Sequence, residues 1–184
     1  PPRSTLSSSS AASDVYKRQD QKSANVLEFP ANSFEPLLLS TKEHFDTYWA
    51  YAEPYIKRCL DETTHGEIET HHIYERGLAA QNYVIVVKSD AGPEPQVKLV
   101  LVFEPRIYPN LAALNLLALG GSDLKSLSDK YWEKLLGWAY MNGVRAIEGL
   151  VCNPAMERVI KRLGFKPVYT HMRLDLTEAQ NETD

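Results

Sequence analysis

Hydrophobic spacing changes character along the chain, and the order of the changes already restricts the fold. Phe45, Tyr48, Trp49 and Ala52 recur at helical spacing behind Ser40 and Thr41, which are suited to capping, so residues 42–51 are expected to be helical. Pro54 falls inside this pattern and predicts either a kink or a second helix over 55–61 with the proline at its start. Thr64-His65-Gly66 breaks the chain, and 67–80 then reads as a short helix with Ile68, Ile73 and Leu78 turned inward.

From Tyr83 the period becomes that of a strand. Residues 83–88 (YVIVVK) and 97–103 (VKLVLVF) are β-branched runs on either side of Asp90-Ala91-Gly92-Pro93, which predicts a hairpin. Pro105 and Pro109 are expected to bound an irregular connection. Residues 111–119 (LAALNLLAL) are apolar throughout and run into Gly120-Gly121, as a strand buried on both faces would. An amphipathic helix follows, from Ser122 or Ser126 to Asn142, with Leu124, Leu127, Tyr131, Leu135 and Trp138 on one face and Gly143 as its stop. Residues 146–152 (AIEGLVC) are a strand. Asn153-Pro154 supply cap and first turn for a helix carrying Met156, Val159, Ile160 and Leu163, which Gly164 ends. Residues 169–176 (YTHMRLDL) alternate as a last strand. The expected class is therefore α/β (α+β): a mixed central sheet with N-terminal helices, a β-hairpin and a C-terminal β-α-β-α-β half. The strand–helix–strand unit implies a parallel pair.

Composition narrows the function classes. The 184 residues suit one domain with tails, 43% hydrophobic and 24% charged content is ordinary for a globular chain, and a net charge of -4 argues against a general nucleic-acid binder. Residues 1–33 are expected to be a disordered tail, because a Ser-rich stretch without apolar periodicity buries too little to offset its ordering entropy. Within it, SSSSAASDVYKRQ resembles translated sequencing-adapter read-through of metagenomic reading frames, which would carry no function. Residues 34–176 form the single expected domain, and 177–184 a frayed tail. Cys59 and Cys152 form no C-x-x-C pair, and neither signal peptide nor membrane span is evident, so a cytoplasmic protein without a metal site is expected.

Particular residues then resemble a known family. The run LLGWA at 135–139 with Gly143-Val144, and Asn153 followed by Leu163-Gly164-Phe165, match the cofactor-side helix and the N…LGF spacing of Gcn5-related N-acetyltransferases, the GNAT family. The resemblance implies acetyl-CoA as cofactor, with contacts from Leu119, Gly120, Gly121, Lys125, Ser126, Leu127, Ser128 and Asn153. It implies an acyl transfer to an unknown primary amine without a covalent enzyme intermediate, Glu104 and Asn115 being the catalytic candidates. Glu148 is a further possible base. Where the family's pyrophosphate loop reads Gln/Arg-x-x-Gly-x-Gly/Ala, this chain has DLKSLS at 123–128, and the tyrosine that many members place before the helix-ending glycine is Ile160. An isoleucine cannot protonate a departing thiolate. The phrases YERGLAAQNYVIVV and NPAMERVIKRLGFKPVYTHMRLDL resemble a GNAT-like group common in tailed-phage genomes. That implies the alternative: a non-catalytic structural or interaction protein with a virion or host partner.

Three other constellations carry less. Adjacent His71 and His72, with His65 and Glu69, face different sides of a helix and lack a third ligand at metal spacing. Cys152 and His171 could neighbour one another across strands as a nucleophile pair, though no oxyanion motif accompanies them. Tyr48, Trp49, Tyr51 and Tyr55 are expected to be core, or to floor a substrate groove.

Overall fold

The computed structural model describes residues 34–64, 66–89 and 94–174. The expected disordered segment, the hairpin turn 90–93 and the tail 177–184 lie outside these residues. Five strands, β1 (Glu35–Leu38), β2 (Tyr83–Ser89), β3 (Gln96–Ile107), β4 (Ala112–Gly121) and β5 (Val144–Gly149), form one sheet in sequence order. The first four are antiparallel neighbours, and β4 pairs parallel with β5. Helices α1 (Lys42–Thr63) and α2 (Thr70–Leu78) precede the hairpin, α3 (Leu124–Met141) connects β4 to β5, and α4 (Pro154–Arg162) follows β5. No helix among the described residues is long and apolar enough to cross a membrane.

The helix α1 runs unbroken through Pro54, so no second helix begins at Tyr55. Its buried positions Phe45, Ala52, Ile56 and Leu60 form one stripe on both sides of the proline. Each large apolar side chain buried this way contributes roughly 1.5–3 kcal/mol, enough in sum to offset one forfeited backbone bond. Thr41 caps the helix, its hydroxyl accepting from the His44 N–H at 3.2 Å. The strip of Val84, Val86, Val100, Val102 and Ala118 on the sheet receives α1 and α2. Helix α2 approaches α1 at Gly77, where a Cβ would stand 2.5 Å from the buried Phe45 ring. Gly77 thus takes the inward position expected of Leu78, which is 41% exposed. The first turn of α2 absorbs the histidines: the Glu69 N–H donates to Nδ1 of His72, and His71 lies beside the Glu69 carboxylate.

Four further differences from the sequence reading have physical reasons. The strand β1 was not predicted; its four residues are too few to display a period. Pro105 sits within β3 instead of ending it, because β2 pairs only as far as Phe103 and leaves that side of Pro105 without a strand needing its N–H. The strand at AIEGLVC begins earlier, at Val144, and stops at Gly149. The expected last strand is not formed over 169–174, where Tyr169, Met172 and Leu174 are exposed, and 175–176 lie outside the described residues.

The second face of the sheet carries α3, with Leu127, Tyr131 and Trp132 buried. The Trp132 indole N–H donates to the Leu163 carbonyl at 2.8 Å, and its ring lies 5.7 Å from that of Phe165. These contacts fix the Leu163-Gly164-Phe165 corner, whose glycine holds a positive φ of 95°.

Candidate functional site

Strands β4 and β5 pair only as far as the rung Leu116–Gly149. Beyond it β4 continues to Gly121, hydrogen-bonded to β3 alone, while the chain after Gly149 turns away to start α4. The strands part because α4 needs an extended Asn153 at its cap (φ -132°, ψ 147°), with Pro154 opening the first turn. Between them lies a shallow, solvent-open cleft. Leu116–Leu119 form one wall, Leu150–Asn153 with Met156 and Ile160 the other, and Cys59, Glu62 and Thr63 of α1 stand over it. Cys59 Sγ donates to the Leu119 carbonyl at 3.4 Å, and burial pushes its thiol above the ordinary cysteine pKa.

One rung below the base of the cleft, Glu104, Asn115 and Glu148 are register partners across β3, β4 and β5. Register partners share a face of the sheet, and here it is the face of α2, since Arg76 of α2 reaches Glu104 at 2.5 Å. Arg106 approaches the other Glu104 oxygen at 3.7 Å. Tyr108, just past β3, folds back so that its hydroxyl donates to Glu148 at 2.8 Å. That bond raises the Tyr108 pKa above the ordinary tyrosine value, against an opposing hydrogen bond with Arg106. Asn115 is 4% exposed.

The sequence-derived residues separate into groups. Glu104 and Asn115 come together, joined by Glu148. Leu119 and Asn153 line the cleft. Asn153 is engaged at both ends of its amide: Oδ1 accepts from the Met156 N–H at 2.7 Å, and Nδ2 donates to Glu62 at 2.8 Å. Gly120 and Gly121 lie within β4 as partners of Val100 and Leu99, not in a loop. Leu127 and Ser128 face the interior, the Ser128 hydroxyl without a partner, while Lys125 and Ser126 are exposed on the first turn of α3. Ser126 donates to the Asp123 carboxylate at that helix start. Ile160 does face the cleft. Cys152 is exposed and directs its thiol toward Thr63, while His171 lies on the exposed segment after Phe165.

Arg76, Arg106 and Tyr108 went unrecognised in the sequence. Only Tyr108 left a trace there, as an aromatic beside the turn residues Pro109-Asn110.

No family model matches the chain, and no curated protein matches it in sequence. Solved structures do align with it. An acetyltransferase of Trypanosoma brucei aligns at 13% identity over 78% of this chain and 99% of its own, with a TM-score of 0.56. Glucosamine-6-phosphate N-acetyltransferase of Arabidopsis thaliana aligns at 13% identity over 79% and 99%, with a TM-score of 0.52. An acetyltransferase of Clostridium acetobutylicum, whose structure holds acetyl-CoA, aligns at 11% identity over 79% and 97%, with a TM-score of 0.58. The five-stranded mixed sheet and the helices around it thus match a shared architecture, and this chain has the GNAT-like fold of those acetyltransferases.

Proposed function

We propose that the chain is an acyl-CoA-dependent N-acyltransferase that acylates a primary amine directly, with acetyl-CoA as its donor. The observation that carries this reading is the parting of β4 from β5 beyond Leu116–Gly149, directly above a row of two carboxylates and a buried amide. The residues suit such a donor. The edge of β4 turned toward the cleft lacks a strand partner beyond Leu116, so an amide-bearing pantetheine arm could bond there as a strand would. The first turn of α3 offers N–H groups that no helical carbonyl reaches, with Lys125 beside them, and the Asp123 carboxylate is occupied by Ser126.

When bound, acetyl-CoA supplies an acyl group activated as a thioester. Glu148, adjacent to the cleft base and held by Tyr108, takes the proton that an acceptor ammonium must lose to become nucleophilic. Asn115 supplies a buried hydrogen-bonding amide next to it. A carbon–nitrogen bond forms and the carbon–sulfur bond breaks. Relative to the ammonium the nitrogen gives up two protons, one of which ends on the thiol and one in solvent. Ile160 offers no proton to the thiolate, so water supplies it.

The test is calorimetric titration with acetyl-CoA, followed by thiol release with a panel of primary amines. Saturable binding, and turnover that Glu148→Gln reduces about 100-fold or more while binding persists, is the expected result. Absence of binding at millimolar acetyl-CoA refutes it. The second reading, a phage-associated, non-catalytic module of the host cytoplasm or virion, is favoured by Ile160 at the cleft wall and by an aspartate at the start of α3. Failure to bind would leave that reading.

A further inference from the structure

The polar row beneath the cleft is electrically lopsided. On the β3 side, Arg76 and Arg106 share the single carboxylate of Glu104, a surplus of one positive charge. On the β5 side, Glu148 accepts only the neutral Tyr108 hydroxyl and has no ion-pair partner among the described residues, a surplus of one negative charge. Between them sits Asn115, more than nine-tenths buried and on the same face of the sheet. Glu104 and Glu148 stand two strands apart, about 10 Å between backbones, and their side chains converge on one face. The arginines are 37% and 43% exposed, so they are within reach of a small molecule.

From this we infer that the acceptor is an amino acid, an amine that also carries a carboxylate. Its ammonium seats on Glu148 and its carboxylate on the Arg106–Arg76 side, and Asn115 bonds the span between. The inference rests on the acyltransferase reading and names its acceptor class. Arg106 is the specificity-determining group, because its guanidinium is 43% exposed and carries five N–H donors, more than its contacts with Glu104 at 3.7 Å and with the Tyr108 hydroxyl use, so it can add a second carboxylate.

The experiment pairs acceptors that differ only by the carboxylate: alanine with ethylamine, and lysine with cadaverine. Thiol release from acetyl-CoA is followed with the full chain, and binding of each acceptor alone is followed by proton NMR line broadening. The expected result is kcat/KM at least about tenfold higher for the amino acid in one pair or more. Arg106→Gln should raise KM for that amino acid by a similar factor with little change in kcat, and Arg76→Gln should raise it in the same direction. Decarboxylated amines that bind and react as well as the amino acids overturn the inference while leaving the acyltransferase reading intact. Should acetyl-CoA bind but no thiol be released, equal broadening of both members of each pair overturns it, and selective broadening of the amino acids supports it. Failure of acetyl-CoA itself to bind removes both readings.

Discussion

Gly121 separates a structural from a ligand-binding role for the Gly120-Gly121 pair. A Cβ built on Gly121 would lie 2.2 Å from the Lys98 carbonyl oxygen and 2.8 Å from the Leu99 Cα. Both are backbone atoms of β3, so no rotamer change relieves the clash and the last rung of the β3–β4 ladder must open. Overpacking of this kind costs about 3 kcal/mol. In a domain of this size, Gly121→Ala should lower Tm by about 6–12 °C. The control is Gly149→Ala, where a Cβ meets only Leu116 at 3.6 Å and 3.7 Å, ordinary contacts, so a change within about 0.5 kcal/mol is expected. Urea unfolding followed by tryptophan fluorescence measures both. The packing requirement is refuted if Gly121→Ala unfolds within about 0.5 kcal/mol of the parent, the span of an ordinary surface change, while acetyl-CoA affinity falls. That outcome would make the glycine a phosphate contact and not a packing requirement.

The two thiols should behave differently. Exposed Cys152 should be alkylated by iodoacetamide well before half-buried Cys59, and acetyl-CoA should slow both, since both line the cleft; mass spectrometry of timed samples decides. Because burial raises the Cys59 pKa, the unfolded chain ionises first as pH passes about 8.5. The associated stability is fully present below that value and is lost as pH rises toward the folded thiol's pKa. Urea midpoints over that alkaline range should therefore fall, and this contribution should vanish in Cys59→Ala. Asn153→Ala removes the cap of α4 and the tie to Glu62, and should destabilise the chain by about 1 kcal/mol in the same unfolding assay, with or without acetyl-CoA.

Much of the fold was legible because periodicity reports burial. The runs YVIVVK and VKLVLVF became β2 and β3, and the stripe Leu127–Tyr131 became the inner side of α3. Errors arose where tertiary contacts override a local rule. Pro54 breaks a helix only when nothing else holds the turn together, and the stripe continuing through Ile56 and Leu60 does hold it. Pro105 ends a strand only where a neighbour demands its N–H, and β2 has already stopped. Gly120-Gly121 were expected to end the strand and contact a cofactor, whereas both lie within β4 and Gly121 answers a close approach of two backbones.

The candidate site was legible residue by residue but not as a constellation. Glu104, Asn115 and Glu148 are scattered along the sequence, and no spacing rule announces that two strand registers will align them. A single-residue slip in either register would send one side chain to the opposite face. The register of β4 is fixed by burial on both sides: Ala118 enters the core under α1, and Leu114 and Leu119 are buried as well. Asn115 is thereby forced inward, although an amide gains nothing from an apolar strand. Core packing thus places a buried amide one rung from the point where β4 and β5 part. Burial does not fix the start of α3 in the same way. Asp123, Lys125 and Ser126 are exposed on the first turn of α3, where the core imposes no side-chain identity. Packing of the sheet thus constrains the Glu104–Asn115–Glu148 row, while nothing in the core constrains the first turn of α3.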